Sequence, residues 1–318
     1  MSREVMVSVI CPTYNQGKYL RQGLDSILMQ KTDFEIEILI GEDCSPDDTN
    51  VILAEYEEKY PGRLQVFHRE KNLKQAKNVY DLFMRSSGKY IIILDLDDYW
   101  TDERKLQKQV DFLEQNPEYI GVSHNFINVD ANGMQIKGSI RKTHYFLGKP
   151  FTLNDFLQYG YVYQTGTFCY RNIWKEKQDW SILYLADDTV VDLTINSILL
   201  SRQNVFILPE VMSVYREVLD ENAKNCRSVS LKDRGLRWQK SARQLFILNK
   251  YFHGKVDYSR MWGDILENYL KALIKREKGS FRIGVFFKMW FQACPGARQR
   301  VRRELFNSLK RKIMRSKG

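Results

Sequence analysis

Three carboxylates stand at one point of the chain: Asp95, Asp97 and Asp98, directly behind the apolar run Tyr90–Leu94. A run with no polar position reads as an interior strand covered on both faces. Open α/β sheets bind ligands where such strands end, so the three acids fall where chemistry is expected. Crowded carboxylates repel one another until a cation offsets them. Hard oxygen donors suit Mg²⁺ or Mn²⁺, which commonly also hold a phosphorylated substrate. Aspartates are ordinary turn and cap residues too, but three behind a fully apolar strand exceed what a cap requires.

Three further polar clusters sit at the ends of periodic stretches. Pro12, Thr13, Tyr14 and Asn15 follow the strand-like Val5–Cys11, and Glu42 through Thr49 follow Ile36–Ile40. Asp187 and Asp188 precede a helix-like stretch, Val190–Leu200. Within the second cluster, Asp47, Asp48 and Thr49 read equally well as turn and cap chemistry, with Thr49 a candidate N-cap. Arg216 is a candidate for a diphosphate, because a guanidinium meets phosphate oxygens two at a time. The plain alternative is a surface arginine at a strand end.

The elements that must position these residues can be read from periodicity. Helices are expected over Tyr19–Gln30, Thr49–Tyr60, Ala76–Arg85 and Lys105–Asn116, with strands over Leu64–His68 and Ile120–Val129. Repeated βα units of this length predict a mostly parallel sheet with right-handed crossovers. Asn132-Gly133 suggests a hairpin, and Leu153–Tyr159 a short helix. Beyond about 230 the pattern is helical, with amphipathic runs at 231–252 and 258–278. The polar stretch near 220–230 predicts a boundary, giving a nucleotide-binding catalytic domain over 1–222 and a helical region over 223–318.

Composition narrows the function classes. In 318 residues, 43% are hydrophobic, enough for a globular core and unlike a disordered chain. No apolar run reaches the ~18–20 residues of a membrane span, and Met1–Ile10 shows no signal-peptide pattern; a cytoplasmic protein is expected. Five scattered cysteines and four scattered histidines give no metal spacing and little material for a Ser-His-Asp triad. Of the net charge of +10, +8 lies in residues 298–318, where nine Lys or Arg face Glu304 alone. A nucleic-acid-binding protein would carry its basic face on the folded domain, so no nucleic-acid partner is expected.

Read together, the segments VSVICPTYNQGKYLRQGLDSILMQ, EILIGEDCSPDDT, GKYIIILDLDDYW and VMSVYR resemble the ordered signatures of the family 2 glycosyltransferases of bacterial surface-polysaccharide type. The likeness covers about residues 5–217. It implies the GT-A fold, a Rossmann-like α/β sheet flanked by helices, and inverting transfer of a hexosyl or N-acetylhexosaminyl group from a nucleoside-diphosphate sugar. UDP is the expected nucleotide, and the acceptor a glycan or lipid-linked hydroxyl. Carried over by position, Pro12, Thr13, Tyr14 and Asn15 would line the nucleoside pocket, with Glu42 and Asp43 near the base. Asp95 would sit by the ribose or sugar and share the metal with Asp97, its principal ligand. Asp188 would be the general base, with Asp187 beside it as the rival. Two positions depart from the pattern: Glu42 stands where Asp is commoner, and Lys77 stands where an arginine is usual, keeping charge without the fork. A nucleotidyltransferase would want a Gly-rich basic loop after the first strand, where Lys18 is the only cation. A non-catalytic sugar-nucleotide-binding subunit would be expected to lack the metal aspartate or the base.

The C-terminal stretch FRIGVFFKMWFQAC, at 281–294, is dense in aromatics and is followed by the basic tail. It is too short to cross a bilayer, and it predicts peripheral attachment to an anionic membrane surface. A helix packed on the catalytic domain, ending in a solvated basic tail, is the alternative.

Overall fold

The computed structural model describes residues 4–136, 142–218, 233–275, 277 and 279–304. Its first half alternates strands and helices: β1 Val5–Thr13, α1 Gly17–Leu28, β2 Glu35–Glu42, α2 Thr49–Lys59, β3 Gln65–His68, α3 Gln75–Arg85 and β4 Tyr90–Ile93. Then come β5 Tyr99–Trp100, α4 Lys105–Gln115, β6 Tyr119–Asp130, β7 Lys149–Phe151, α5 Leu153–Tyr159 and β8 Cys169–Arg171. The unit closes with α6 Ile182–Leu185, α7 Asp192–Leu200 and β9 Asn204–Glu217.

All these strands join one nine-stranded sheet in the order β3-β2-β1-β4-β8-β6-β9-β5, with β7 also on β9. β3, β2, β1 and β4 pair in parallel, as the βα alternation predicts. β8 then enters antiparallel between β4 and β6. β9 runs parallel to β6, while β5 and β7 lie antiparallel on β9. Six of the nine strands therefore share one direction. The antiparallel members are two or three residues long, too short for period-2 patterning to reveal.

β4 is buried at every position, which agrees with a strand covered on both faces. Helix α1 buries Leu20, Leu24 and Ile27 against this sheet. Each such side chain contributes about 1.5–3 kcal/mol relative to exposure. Gly23 lets α1 approach closely: a Cβ there would meet the Leu96 carbonyl oxygen at 2.9 Å. The helix thus rests on the turn that carries the three aspartates. Thr49 is not the N-cap of α2, a position that Asp48 occupies. Its hydroxyl instead donates to Asp47 at 2.6 Å and accepts from the Gln16 amide. Asn132-Gly133 does form a tight return, with the Gly133 amide on the Asp130 carbonyl and a bridge between Val129 and Gln135.

The chain divides into two compact units, residues 1–220 and 221–318. The second contains α8 Arg234–Tyr251, α9 Ser259–Ile274 and α10 Ile283–Gln292, and 295–304 are again helical. Leu245, Leu248, Trp262, Leu266 and Tyr269 form its interior, closed by Phe286 and Met289 of α10. The expected run over 258–278 ends earlier, at Ile274, before the turn at Gly279 and Ser280. The last basic residues, 305–318, lie outside the described residues.

Candidate active site

The carboxyl ends of β1, β2 and β4 lie side by side, since these strands are parallel and adjacent. They bring together Thr13, Glu42 and the turn Asp95–Asp98. The loops after β1 and β2 are laced to each other. The Asp43 amide donates to the Thr13 carbonyl at 2.9 Å, the Asn15 amide to Ser45 at 3.0 Å, and the Gly17 amide to Asp47 at 2.9 Å. Pro12 and Thr13 are buried, whereas Tyr14 is 38% exposed.

Backbone strain concentrates here. Asn15, Cys44 and Lys74 are three of the four non-glycine residues with positive φ among those described, at 56°, 63° and 67°. Such conformations cost roughly 1–3 kcal/mol each and persist where surrounding structure over-determines them. At Cys44 the determining contacts come from Glu42, whose buried carboxylate accepts the Cys44 and Ser45 amides at 3.2 and 2.7 Å. Asp43 accepts the Leu73 amide at 2.6 Å, and burial raises its pKa above the usual carboxylate range. Both acids shape the loops around the expected nucleoside pocket.

The three aspartates divide into one structural and two open groups. Asp98 is 2% exposed and is held from both sides: the Arg216 amide donates to it at 2.7 Å, and Gln164 hydrogen-bonds its other oxygen. Asp95 and Asp97 are partly exposed, each met by one glutamine amide at the long end of the hydrogen-bond range. Gln75 approaches Asp95 at 3.4 Å, and Gln16 approaches Asp97 at 3.5 Å. Burial, followed by the charges of Asp97 and Asp192, pushes Asp95 well above the ordinary range. Burial raises Asp97 as well, against the pull of Arg216. Ionisation of this turn is therefore disfavoured by burial and, at Asp95, by neighbouring acids.

Arg216 is buried and committed to the protein. Its Nε donates to the Asp97 carbonyl at 2.9 Å, and its Nη2 donates to Gln22 at 2.7 Å. The guanidinium lies over the Tyr19 ring, 4.4 Å from the centroid. These contacts fix the acidic turn and leave little of the fork for a diphosphate. Lys77 is exposed on α3; the lysine that reaches an acid of the site is Lys74, paired with Asp188.

Asp187 and Asp188 part company. Asp187 is 7% exposed, and its Oδ1 accepts from the Thr189 amide, the Thr189 hydroxyl and the Val190 amide, the pattern of a turn cap. Asp188 stands at the rim with its side chain 43% exposed. A further acid, Asp192, escaped the sequence reading. It opens α7, accepts the Thr165 hydroxyl at 3.3 Å, and has its pKa raised by burial. The Asp95 carboxyl feels its charge. Its signal was present in Val190-Val191-Asp192-Leu193, a carboxylate set among apolar residues where none is needed for solubility.

One short turn joins this acid to the aspartate turn. Gln164 holds Asp98 and Thr165 holds Asp192, while the Gly166 carbonyl accepts from the Trp100 indole at 2.9 Å. Gln109, fully buried, donates to the Thr167 carbonyl at 2.9 Å and receives Lys105 at 2.7 Å.

The chemistry open to this arrangement is cation binding plus proton removal. Among the described residues no three His, Cys, Asp or Glu side chains converge as a ready metal cage. Two open carboxylates suit Mg²⁺-type ions, which usually bind through one or two carboxylates and complete their shell with phosphate oxygens and water.

The sequence profile of "Glycosyl transferase family 2" matches residues 8–173. The chain belongs to glycosyl transferase family 2. Rv1520 of Mycobacterium tuberculosis, an uncharacterized protein, is 38% identical over 35% of this chain and 32% of its own length. TuaG of Bacillus subtilis, described as a putative teichuronic acid biosynthesis glycosyltransferase, is 38% identical over 34% of this chain and 42% of its own. The similarity thus spans about a third of the length of these curated relatives. S. aureus TarS 1–349 in complex with UDP-GlcNAc superposes with a TM-score of 0.53 at 18% identity, covering 95% of this chain and 92% of that one. The mannosyltransferase PcManGT from Pyrobaculum calidifontis, in complex with GDP-Man and Mn²⁺, gives 0.51 at 17% identity over 80% and 67%. The fold is GT-A-like, with a C-terminal helical region.

Proposed function

We propose that this glycosyltransferase moves a hexosyl or N-acetylhexosaminyl group from a UDP-sugar to a hydroxyl of a glycan or lipid-linked acceptor, with inversion, in bacterial surface-polysaccharide synthesis. The observation that carries the reading is the pair of open, mutually repelling carboxylates, Asp95 and Asp97, at the carboxyl edge of a parallel sheet. The UDP-GlcNAc bound to TarS and the Mn²⁺ bound to PcManGT support the donor and metal classes. TuaG supports the polysaccharide context. The loops after β1 and β2 would receive the nucleoside, with Thr13, Tyr14 and Asn15 on one side and Glu42 and Asp43 shaping the other.

Asp97 and Asp95 would hold Mn²⁺ or Mg²⁺, which when bound neutralises charge on the departing diphosphate. Arg216 and Asp98 keep the two carboxylates in register from behind. An acceptor hydroxyl is a weak nucleophile, so a carboxylate must take its proton during attack. Asp192 suits that role better than Asp188. It is half-buried, its charge is felt at Asp95 and burial raises its proton affinity, whereas Asp188 is paired with Lys74. A single base with a neutralised leaving group performs one in-line displacement, and no nucleophilic residue for a two-step path is required. The enzyme would work in the cytoplasm at the inner face of the cell membrane.

Calorimetric titration with a panel of UDP-, GDP-, CDP- and dTDP-sugars, with Mn²⁺ and with EDTA, tests the reading. Metal-dependent binding of a UDP-sugar, with slow hydrolysis in the absence of acceptor, is the expected result. Failure of every sugar nucleotide to bind would refute the transferase reading, and binding and turnover unchanged by EDTA would refute the metal role.

A further inference from the structure

We infer that the outer face of α10 is a docking surface for an anionic lipid bilayer, with Ile283, Phe287 and Phe291 entering the interface and Arg282 and Lys288 meeting the headgroups. The inference deepens the reading of a membrane-side transferase and rests on it for its purpose. The surface itself is argued from the C-terminal unit alone.

The sequence groups all the aromatics of 281–294 together; the structure separates them. Phe286 and Met289 are 7% and 3% exposed and close the interior of the unit. Trp290 is half-buried beneath Arg302, whose guanidinium lies 5.6 Å from its ring centroid. Ile283, Phe287 and Phe291 are 58%, 51% and 73% exposed. At about 100° per residue these three fall within an arc of roughly 80°, which Gly284 and Lys288 extend. Single exposed apolar residues are ordinary, but three aligned on one face are not. The helix is roughly 15 Å long, so it can lie in an interface and cannot cross a bilayer.

Charge selects the occupant. Asp264, Glu267 and Glu277 are paired with Arg300, Lys271 and Arg234. Arg282, Lys288, Arg298 and Arg303 form no ion pair with the described residues. Arg282 thus stands at the start of the stripe and Lys288 beside it without an ion pair among the described residues, and in sequence Lys310, Arg311, Lys312, Arg315 and Lys317 follow. An anionic bilayer matches both properties: the apolar face sinks to the acyl boundary while Lys and Arg reach the headgroups. A second copy docked about a two-fold axis would bring the same cations against themselves, which opposes that occupant.

The test is co-sedimentation of the full chain with phosphatidylcholine vesicles, with and without phosphatidylglycerol. Binding that needs phosphatidylglycerol, and retains a component resistant to high salt, is expected. Phe287→Ser with Phe291→Ser should lower partitioning roughly tenfold or more and remove the salt-resistant component. Phe287→Leu with Phe291→Leu should keep it, and Lys288→Glu should weaken only the salt-sensitive part. Serine variants that bind like the parent, or equal binding to pure phosphatidylcholine, would overturn the inference. So would a lipid-free dimer that the serine pair converts to monomer, since the face would then belong to a second copy. Donor hydrolysis, measured without vesicles, separates this outcome from failure of the transferase reading. It should persist in every variant.

Discussion

Replacing Asp192 by Asn should abolish most turnover while making the protein more stable. Asparagine is nearly isosteric, and its Oδ1 can still accept the Thr165 hydroxyl, so no packing is lost. What disappears is a carboxylate whose pKa is raised by burial. A carboxyl with a higher pKa folded than unfolded holds more protons in the native state, so its contribution to stability is full below the ordinary value of 3.8 and is lost as pH rises through the folded pKa. The ionised wild type bears that loss near neutrality and the amide does not. A higher melting temperature than the parent's is therefore expected near neutrality. The gain should grow from pH 4 toward pH 7.5. Turnover should fall about 10²–10⁴-fold, the usual worth of a positioned base, equivalent to roughly 3–5 kcal/mol of barrier. Donor affinity should be nearly unchanged. Thermal melts across pH, UDP release from the donor and calorimetric donor binding measure the three quantities. If Asp188→Asn loses turnover and Asp192→Asn does not, the base is the rim aspartate and the argument from burial fails.

Asp97→Asn should remove Mn²⁺-dependent donor binding while the fold survives, because Arg216 contacts the Asp97 carbonyl and not its carboxylate; unchanged thermal stabilisation by Mn²⁺ plus donor would refute its ligand role. Trp100→Phe removes the indole donor to the Gly166 carbonyl and should cost about 1 kcal/mol of stability. It should also lower kcat while leaving donor KM in place, because the turn it holds carries the partners of Asp98 and Asp192; a stability loss with kcat intact would reduce the clamp to structure alone.

Much of the catalytic half was legible because its signals are local. β4 announces itself by five apolar residues, and Asp95–Asp98 by crowding behind it. The helices α1 to α4 follow from 3.6-residue periodicity, and their ends fall within a few residues of expectation. What could not be read are the pairings between segments far apart in sequence. β8 is three residues long and finds its place between β4 and β6 only through tertiary contact. Arg216 reads as a ligand residue in isolation, because nothing local shows that Asp97, Gln22 and Tyr19 surround it. Asp187 looks as promising as Asp188 until its oxygen is found capping Thr189 and Val190. The stripe on α10 was hidden for the same reason: periodicity shows that aromatics are present, and only packing shows which remain outside.

The same distinction explains how the acidic turn can persist at all. Burial, and then the charge of neighbouring acids, raises the proton affinity of Asp95 and Asp98, and left to themselves they would favour a protonated or opened turn. Asp98 is held by groups from 66 and 118 residues away, Gln164 and the Arg216 amide, and the Arg216 side chain then grips the Asp97 carbonyl. These bonds commit one aspartate to architecture and leave two partly exposed. The repulsion between those two is then available for a divalent cation to relieve, so that binding energy comes from charge the fold already confines. A protein needing only a capped turn has no reason to confine it.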